Sequence, residues 1–318
     1  MAGPRILSLL PSATEIAVAV GRGPSLVGRS HECDFPPFVE ALPVCTGTKL
    51  DKGLTSRQIE DRVQEIVRQG LSVYEVNAAL VRELKPDVVL TQSQCAVCAV
   101  TPADLEEALS DWVGTPPTLL SLAPDTLDDV WSDLNRVGEA VEASAAAAAE
   151  VLRLQEALAA IRLRGAARGW RPRVAAIEWI EPLMAAGNWV PELVDAAGGE
   201  ALFAAPGQHS PWLEWDALAQ ADPDVIILMP CGYRIDQSLA EMGSLHARPG
   251  WRDLSAVKAG RVFAVDGHHY FNRPGPRLIQ SAEIVAEILD RCVDPGSAIA
   301  GPLGARWRVA PVQPKRAA

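Results

Sequence analysis

Two cysteines stand three apart in "TQSQCAVC" (residues 91–98), directly after "LKPDVVL", a run with the make-up of a buried strand. A thiol pair at a strand end can be a redox couple or half of a zinc site, since both chemistries need closely spaced thiolates. Zinc takes four ligands, and no second pair with this spacing exists in the chain. "SHECDF" (30–35) supplies a histidine and a third thiol, so His31, Cys33, Cys95 and Cys98 make one candidate metal set if their loops are neighbours. The contrary reading also has physical support. Cysteine is among the most often buried residue types, and Cys95 and Cys98 would then shape a tight turn. Cys231 ends a similar strand, "DPDVIILMPC", which leans toward packing. His31 has three readings of its own: a ligand to cobalt or iron, a hydrogen-bond donor to a bound molecule, or a loop histidine bonded to a local carbonyl.

Such residues act only if strands and helices hold them. "RILSLL" (5–10) reads as a short buried strand, followed by a polar turn "PSATE" and a helix ending at Gly21. "LVGRS" (26–30) is a second strand. Helices are expected at about 54–69 and 75–84, then the strand "DVVLTQ" (87–92). Strands alternating with helical patterns indicate an α/β fold with doubly wound parallel sheets. The second half repeats the scheme with "RPRVAAIEWI" (171–180), "GNWVPELVDAAGG" (187–199) and "DPDVIILMPCG" (222–232). Pro86-Asp87 and Pro223-Asp224 each introduce a branched apolar strand, 137 residues apart. The echo is consistent with two related lobes, although helix–Pro-Asp–strand also recurs by chance in α/β proteins.

Between the halves, Thr126 and Asp129 fit a capping box, and Leu127, Val130, Trp131, Leu134, Val137 and Val141 keep helical spacing. A second run, with Ala145–Ala149 inside it, continues to Leu163; the break, if there is one, falls at Gly138 or Ser144. About 20 helical residues span ~30 Å, the width of a small domain. The expected organisation is an N-terminal α/β lobe (1–124), a long rigid helical linker (125–169), a C-terminal α/β lobe (170–293) and an irregular tail (294–318), with a ligand cleft between the lobes.

In open α/β sheets ligands sit off the carboxyl ends of strands. Loops at those ends carry three of the five histidines and four of the six cysteines, with Trp, Tyr and Phe among them. Aromatic loop tips suit a large, flat, partly apolar ligand. The candidates are Ser12, Thr14, His31, Glu32, Gln94, Trp179, Trp189, Tyr233, His269, Tyr270, Phe271 and Arg273. Trp179 and Trp189 flank a strand end and a helix start, with core packing as their alternative. In "HHYFNRPGP" two prolines preorganise the loop to present Tyr270, Phe271 and Arg273, and Arg273 can clamp a phosphate or propionate.

The net charge of −11 argues against nucleic acid or an anionic membrane as the main partner. No run approaches ~20 consecutive apolar residues, so no membrane insertion is expected. The start carries an apolar run interrupted by Pro11, Thr14 and Glu15 and preceded only by Arg5. With Met1 as the native start the chain reads as cytoplasmic with reduced thiols; had the start been trimmed, it would be periplasmic or extracellular. No G-x-S-x-G, phosphate-binding loop or G-x-G-x-x-G motif is present, so the chain is not expected to be an enzyme.

"ILSLLPSATEIAVAVG", "LVGRSHECDFPP", "ELKPDVVLTQSQCAVC", "GNWVPELVDAAGG" and "DGHHYFNRPGPR" together resemble the helical-backbone (class III) substrate-binding proteins of ABC importers for metal chelates. The similarity spans about residues 5–292 and is nearest the cobalamin (vitamin B12) branch. It implies a monomeric, non-catalytic receptor that holds a cobalamin-like corrinoid, or less readily haem or a ferric siderophore, and hands it to an importer permease. Family members dock on their importers through acidic surface residues, for which Glu40, Glu75 and Glu241 are the counterparts to weigh against plain solvated positions. The chain departs from the family in its "HEC" and "CAVC" stretches and in showing no signal peptide or lipobox. A second reading therefore stands beside the first: a cytoplasmic metal- or redox-active protein using His31, Cys33, Cys95 and Cys98.

Overall fold

The computed structural model describes residues 3–51, 53–69, 72–93, 105, 112, 114–294 and 306–311. The chain divides into two compact units: Met1–Leu54 with Gln58–Leu154 and Pro274–Pro276, and Thr55–Arg57 with Gln155–Arg273 and Arg277–Ala318.

The first unit is built on a four-stranded parallel sheet in the order β2 (Leu26–Arg29), β1 (Ile6–Ser8), β5 (Val88–Gln92), β6 (Thr118–Leu122). β3 (Thr46–Thr48) and β4 (Tyr74–Val76) form a separate antiparallel pair. All five residues of β5 are buried, as expected of a strand with neighbours on both sides and helices on both faces. The "PSATE" stretch is helix, not turn. The helix runs Pro11–Ala19 and starts on Pro11, whose fixed φ and missing N–H cost nothing in the first turn. The helix expected at 75–84 begins only at Ala78, because β4 takes residues 74–76; the Asn77 side chain caps the helix by accepting the Leu80 N–H at 3.1 Å.

In the second unit β7 (Arg173–Trp179), β10 (Val225–Leu228) and β11 (Val262–Val265) are parallel neighbours. β9 (Glu200–Ala201) also pairs parallel to β7, whereas β8 (Met184–Ala185) and β12 (Trp307–Val309) pair antiparallel. The sheet is thus parallel at its centre and mixed at its edges. β10, "VIIL", is wholly buried; each such side chain contributes about 1.5–3 kcal/mol on leaving water. The tail read as irregular supplies β12, in which Trp307 is buried and Arg308 and Val309 are exposed.

The Pro-Asp echo has a common structural basis. The Asp87 carboxylate accepts the backbone N–H of Arg5 at 2.8 Å, and the Asp224 carboxylate accepts that of Arg173 at 2.8 Å. The Arg5 guanidinium donates to the Leu84 carbonyl at 2.7 Å, and that of Arg173 to the Ala221 carbonyl at 2.6 Å. Each helix before the Pro-Asp pair ends on a left-handed residue, Lys85 (φ 45°) or Asp222 (φ 43°). In both units an arginine caps the exposed carbonyls of that helix while an aspartate pins the start of the adjacent strand.

The helical region between the two halves of the sequence is two helices, Leu127–Ala140 and Ser144–Ala166, not one. The Thr126–Asp129 capping box is formed, with N–H···O distances of 2.9 and 3.2 Å. Gly138 sits where the helices touch: a Cβ there would lie 2.3 Å from that of Ala147. The chain reverses through Glu142 at φ 55°. In the second helix Ala147, Val151, Leu154, Leu158 and Ile161 are buried at helical spacing, and the division between the units falls within this helix, after Leu154.

Candidate functional site

In the first unit, the carboxyl ends of β1 and β2 lead into Pro11 and Ser30. Ser12 and Thr14 are 2% and 0% exposed. The Thr14 hydroxyl lies 3.3 Å from the Leu10 carbonyl oxygen and 3.1 Å from the Cys33 sulfur. Thr14 is bonded within the helix start and Ser12 is buried beside it, so neither side chain, expected to face a ligand, presents accessible surface here. Cys33 is likewise in the core, so its thiol is not open to a metal. Gln94, Cys95 and Cys98 lie outside the described residues.

His31 is half-buried and well anchored. Its backbone N–H donates to the Thr46 hydroxyl at 3.1 Å, and its ring Nδ1 lies 2.8 Å from the same oxygen. Thr46 in turn donates to Ser30 Oγ at 3.1 Å, and the Glu32 N–H donates to Ser30 Oγ at 3.3 Å. The Tyr74 ring packs against the imidazole, with centroids 5.7 Å apart. Burial, and secondarily the Arg29 charge, hold the His31 pKa below the ordinary imidazole value. Glu32 beside it is half-buried.

In the second unit, Trp179 ends β7 and packs on Tyr233, with ring centroids 5.5 Å apart. Trp179 is 8% exposed, and its indole Nε1 is buried without a hydrogen-bond partner. The Tyr233 hydroxyl donates to Glu241 at 3.0 Å; burial, then that bond, push its pKa well above the usual phenol range, so it stays a donor. Glu241 also accepts the Ser56 backbone N–H at 2.8 Å and the Ser56 hydroxyl. Both its oxygens are engaged, which corrects the reading of Glu241 as a solvated surface group. Glu40 and Glu75 are exposed, as that reading requires. Next to Glu241, Glu181 accepts from Arg57 at 2.6 Å and from Arg248 at 2.8 Å.

Loop 266–273 is organised by Asp266, whose carboxylate accepts the backbone N–H groups of His268 and His269 and meets the His269 Nδ1 at 2.9 Å. Burial opposes ionisation of Asp266, yet the hydrogen bonds from His269 prevail and hold its pKa below the ordinary value. His269 and Tyr270 are half-buried, with the Arg277 guanidinium 5.4 Å over the Tyr270 ring. Phe271 is not presented: it is 0% exposed at φ 64°, its N–H bonds Ser281 Oγ at 3.0 Å, and its carbonyl accepts the Trp189 indole N–H at 2.7 Å. Trp189 is thereby a packing residue at 5% exposure, and Arg273, 6% exposed, turns inward to His268 Nε2 at 3.2 Å. The loop is ordered by burying these three side chains; the expectation that they meet a ligand is corrected on that ground. His31, Glu32, His269 and Tyr270 retain accessible surface, and Trp179 retains an unused donor.

Sequence reasoning missed Thr46, Ser56 and Asp266. Asp266 carried a local signal, an aspartate before two N–H groups in "DGHH". Nothing near Thr46 or Ser56 announces partners fifteen and 185 residues away. Glu178 was also unmarked. It accepts Ser210 Oγ–H at 2.7 Å, and burial raises its pKa.

Among known proteins, the chain is 26% identical over 301 residues to the vitamin B12-binding protein of Vibrio cholerae, covering 90% of this chain and 88% of that one. It is 24% identical over 290 residues to the uncharacterized ABC transporter substrate-binding lipoprotein YvrC of Bacillus subtilis, covering 89% and 79%. A periplasmic heme-binding protein from Pseudomonas aeruginosa has the same fold, with a TM-score of 0.68 at 20% identity over 95% of this chain and 96% of that one. The family described as periplasmic binding protein matches residues 6–268. The two α/β units and this match over most of the sequence agree, and the chain belongs to the periplasmic binding protein family.

Proposed function

We propose that the chain is the substrate-binding component of an ABC importer and that its cargo is a corrinoid of the cobalamin type, bound without catalysis. The observation that supports this reading best is the similarity, along nine-tenths of the chain, to a vitamin B12-binding protein. The strand-end aromatics fit a broad, partly apolar ligand: Tyr270 is accessible, and Trp179 has an indole donor to satisfy. Haem is the second reading, favoured by the structural likeness to a heme-binding protein; a ferric siderophore ranks below both. The metal- or redox-active alternative is not carried forward, because Cys33 is in the core.

The site of action we infer is outside the cytoplasmic membrane, the second of the two expectations for the chain, in keeping with the lipoprotein and the periplasmic protein it resembles. Among the described residues no helix is long and apolar enough to cross a membrane. The partner is an importer permease, met by a monomer; Glu40 and Glu75 are the exposed acidic groups available to it. Calorimetry with cobalamin, cobinamide, hemin and a ferric siderophore tests the proposal. Saturable binding of a corrinoid with the highest affinity is expected, and no heat with any of the four overturns it.

A further inference from the structure

Glu178 precedes Trp179 at the carboxyl end of β7, the end off which ligands sit in open α/β sheets. It is half-buried. Its one side-chain partner among the described residues is Ser210, 7% exposed, whose Oγ lies 2.7 Å from Oε2. The same Oγ accepts the Gly187 backbone N–H at 3.0 Å, so the carboxyl is held by a hydroxyl that is itself tied to the main chain. The Glu178 carbonyl accepts the Cys231 N–H at 3.2 Å, which fixes the backbone on the other side.

Burial raises the Glu178 pKa; the Ser210 hydrogen bond, the His209 charge and the Gly187 N–H all favour ionisation, and burial outweighs them. The one basic group whose charge acts on the carboxyl is the exposed His209, with Nδ1 3.2 Å from the Ser210 carbonyl oxygen. Two uncharged groups adjoin Glu178 and Gly187 along the chain. Trp179 Nε1 is a buried donor and Asn188 Oδ1 a buried acceptor, and neither has a hydrogen-bond partner. A donor, an acceptor and a carboxyl that is both when protonated complement a primary amide, which presents C=O and NH2 together. A carboxylate offers acceptors only. It would confront Asn188 Oδ1 and bring a charge into a half-buried place that has no arginine or lysine acting on it.

We infer that Glu178 is a specificity-determining residue that, with Trp179 and Asn188, holds a peripheral primary amide of the cargo and discriminates against a carboxylate at the same place. The inference rests on the reading of the chain as a receptor for a metal macrocycle and sharpens it. Corrinoids carry acetamide and propionamide side chains, whereas the haem periphery ends in propionates.

The full chain is titrated by calorimetry with cobinamide and with its monocarboxylic acids, in each of which one peripheral amide is hydrolysed. One of these acids is expected to bind at least about tenfold more weakly than cobinamide, the effect of one lost hydrogen bond or more. Glu178→Ala is expected to weaken cobinamide by about tenfold and to remove that difference, whereas Glu178→Gln, which keeps a donor, an acceptor and the Ser210 bond, retains both. If Glu178→Ala fails to fold, Trp179→Phe, which deletes only the indole donor, decides in the same way. Acids that all bind like the parent, or a difference that survives in Glu178→Ala, overturn the inference and leave the corrinoid reading intact. Failure of cobinamide itself to bind removes both. Infrared difference spectra of the unliganded protein against Glu178→Gln give an independent readout. The carbonyl stretch of a protonated carboxyl is expected at neutral pH, and a carboxylate band in its place overturns the inference whatever the cargo.

Discussion

Replacing Glu241 with alanine removes the shared acceptor of three donors in the second unit: the Ser56 N–H at 2.8 Å, the Ser56 hydroxyl and the Tyr233 hydroxyl at 3.0 Å. Ser56 is 1% exposed and Tyr233 5%, so all three donors have little access to replacement water. A hydrogen bond to a charged group contributes about 1.5–3 kcal/mol, and a buried donor left alone costs about 1–3 kcal/mol. Glu241 itself is half-buried, so water entering its place recovers part of this. The expected loss is about 3 kcal/mol. For a unit of this size that lowers Tm by about 6–12 °C. Glu241→Gln should lose roughly half as much, because the amide oxygen still accepts while its NH2 group confronts a donor. Ser56→Ala should cost about 1 kcal/mol, and the Glu241→Ala/Ser56→Ala pair should be non-additive by a similar amount. Urea and thermal melts followed by circular dichroism measure all four variants. A Glu241→Ala protein melting within about 1 °C of the parent, or additive single variants, would falsify the assignment of Glu241 as the anchor of this network. The functional consequence is local: Tyr233 loses its tether, and Trp179, packed against it with ring centroids 5.5 Å apart and the planes tilted by 60°, loses the neighbour that fixes its indole.

Asp87→Ala and Asp224→Ala each unpair a strand-starting N–H and should cost about 1–2 kcal/mol apiece, with faster amide exchange at Arg5 in one and Arg173 in the other. Protection unchanged at those two amides would show that the repeated arginine–aspartate device does not carry strain-free strand starts. The lowered pKa of His31 means the unfolded chain takes up its proton first on acidification. Its contribution to stability is therefore lost as pH falls through about 6.5, and His31→Asn should flatten the stability profile between pH 7 and 5. Asp266 also has a lowered folded pKa, so its contribution is present above about pH 4 and lost as pH falls further through the folded value; Asp266→Asn should abolish that component. Burial pushes the thiols of Cys45 and Cys292 up to about 11, so neither should react with iodoacetamide in the native protein at pH 8, as read by peptide mass spectrometry.

The amino-acid sequence determined the parts that depend on neighbours within a few residues. Buried strands such as "VVLTQ" and "VIIL", the Thr126–Asp129 cap and the Pro-Asp strand entries are all consequences of local period and capping chemistry, and they appear where the residues place them. The resemblance to metal-chelate receptors lay in the same strand–loop punctuation, and the family followed from it. Errors arose where partners are remote. "PSATE" looked polar enough for a turn, yet Pro11 suits a first helical turn and Thr14 finds Leu10 and Cys33 to bond. "HHYFNRPGP" looked like a presenting loop, yet Trp189 and Ser281, 82 and ten residues from Phe271, draw that residue inward. Tertiary structure alone decided that His31 meets Thr46, that Glu241 meets Ser56, and that Trp179 keeps an unpaired donor. Which side chain touches which across such separations is set by how the strands are ordered and how the loops between them close, and residue type records only what each group can do once it arrives.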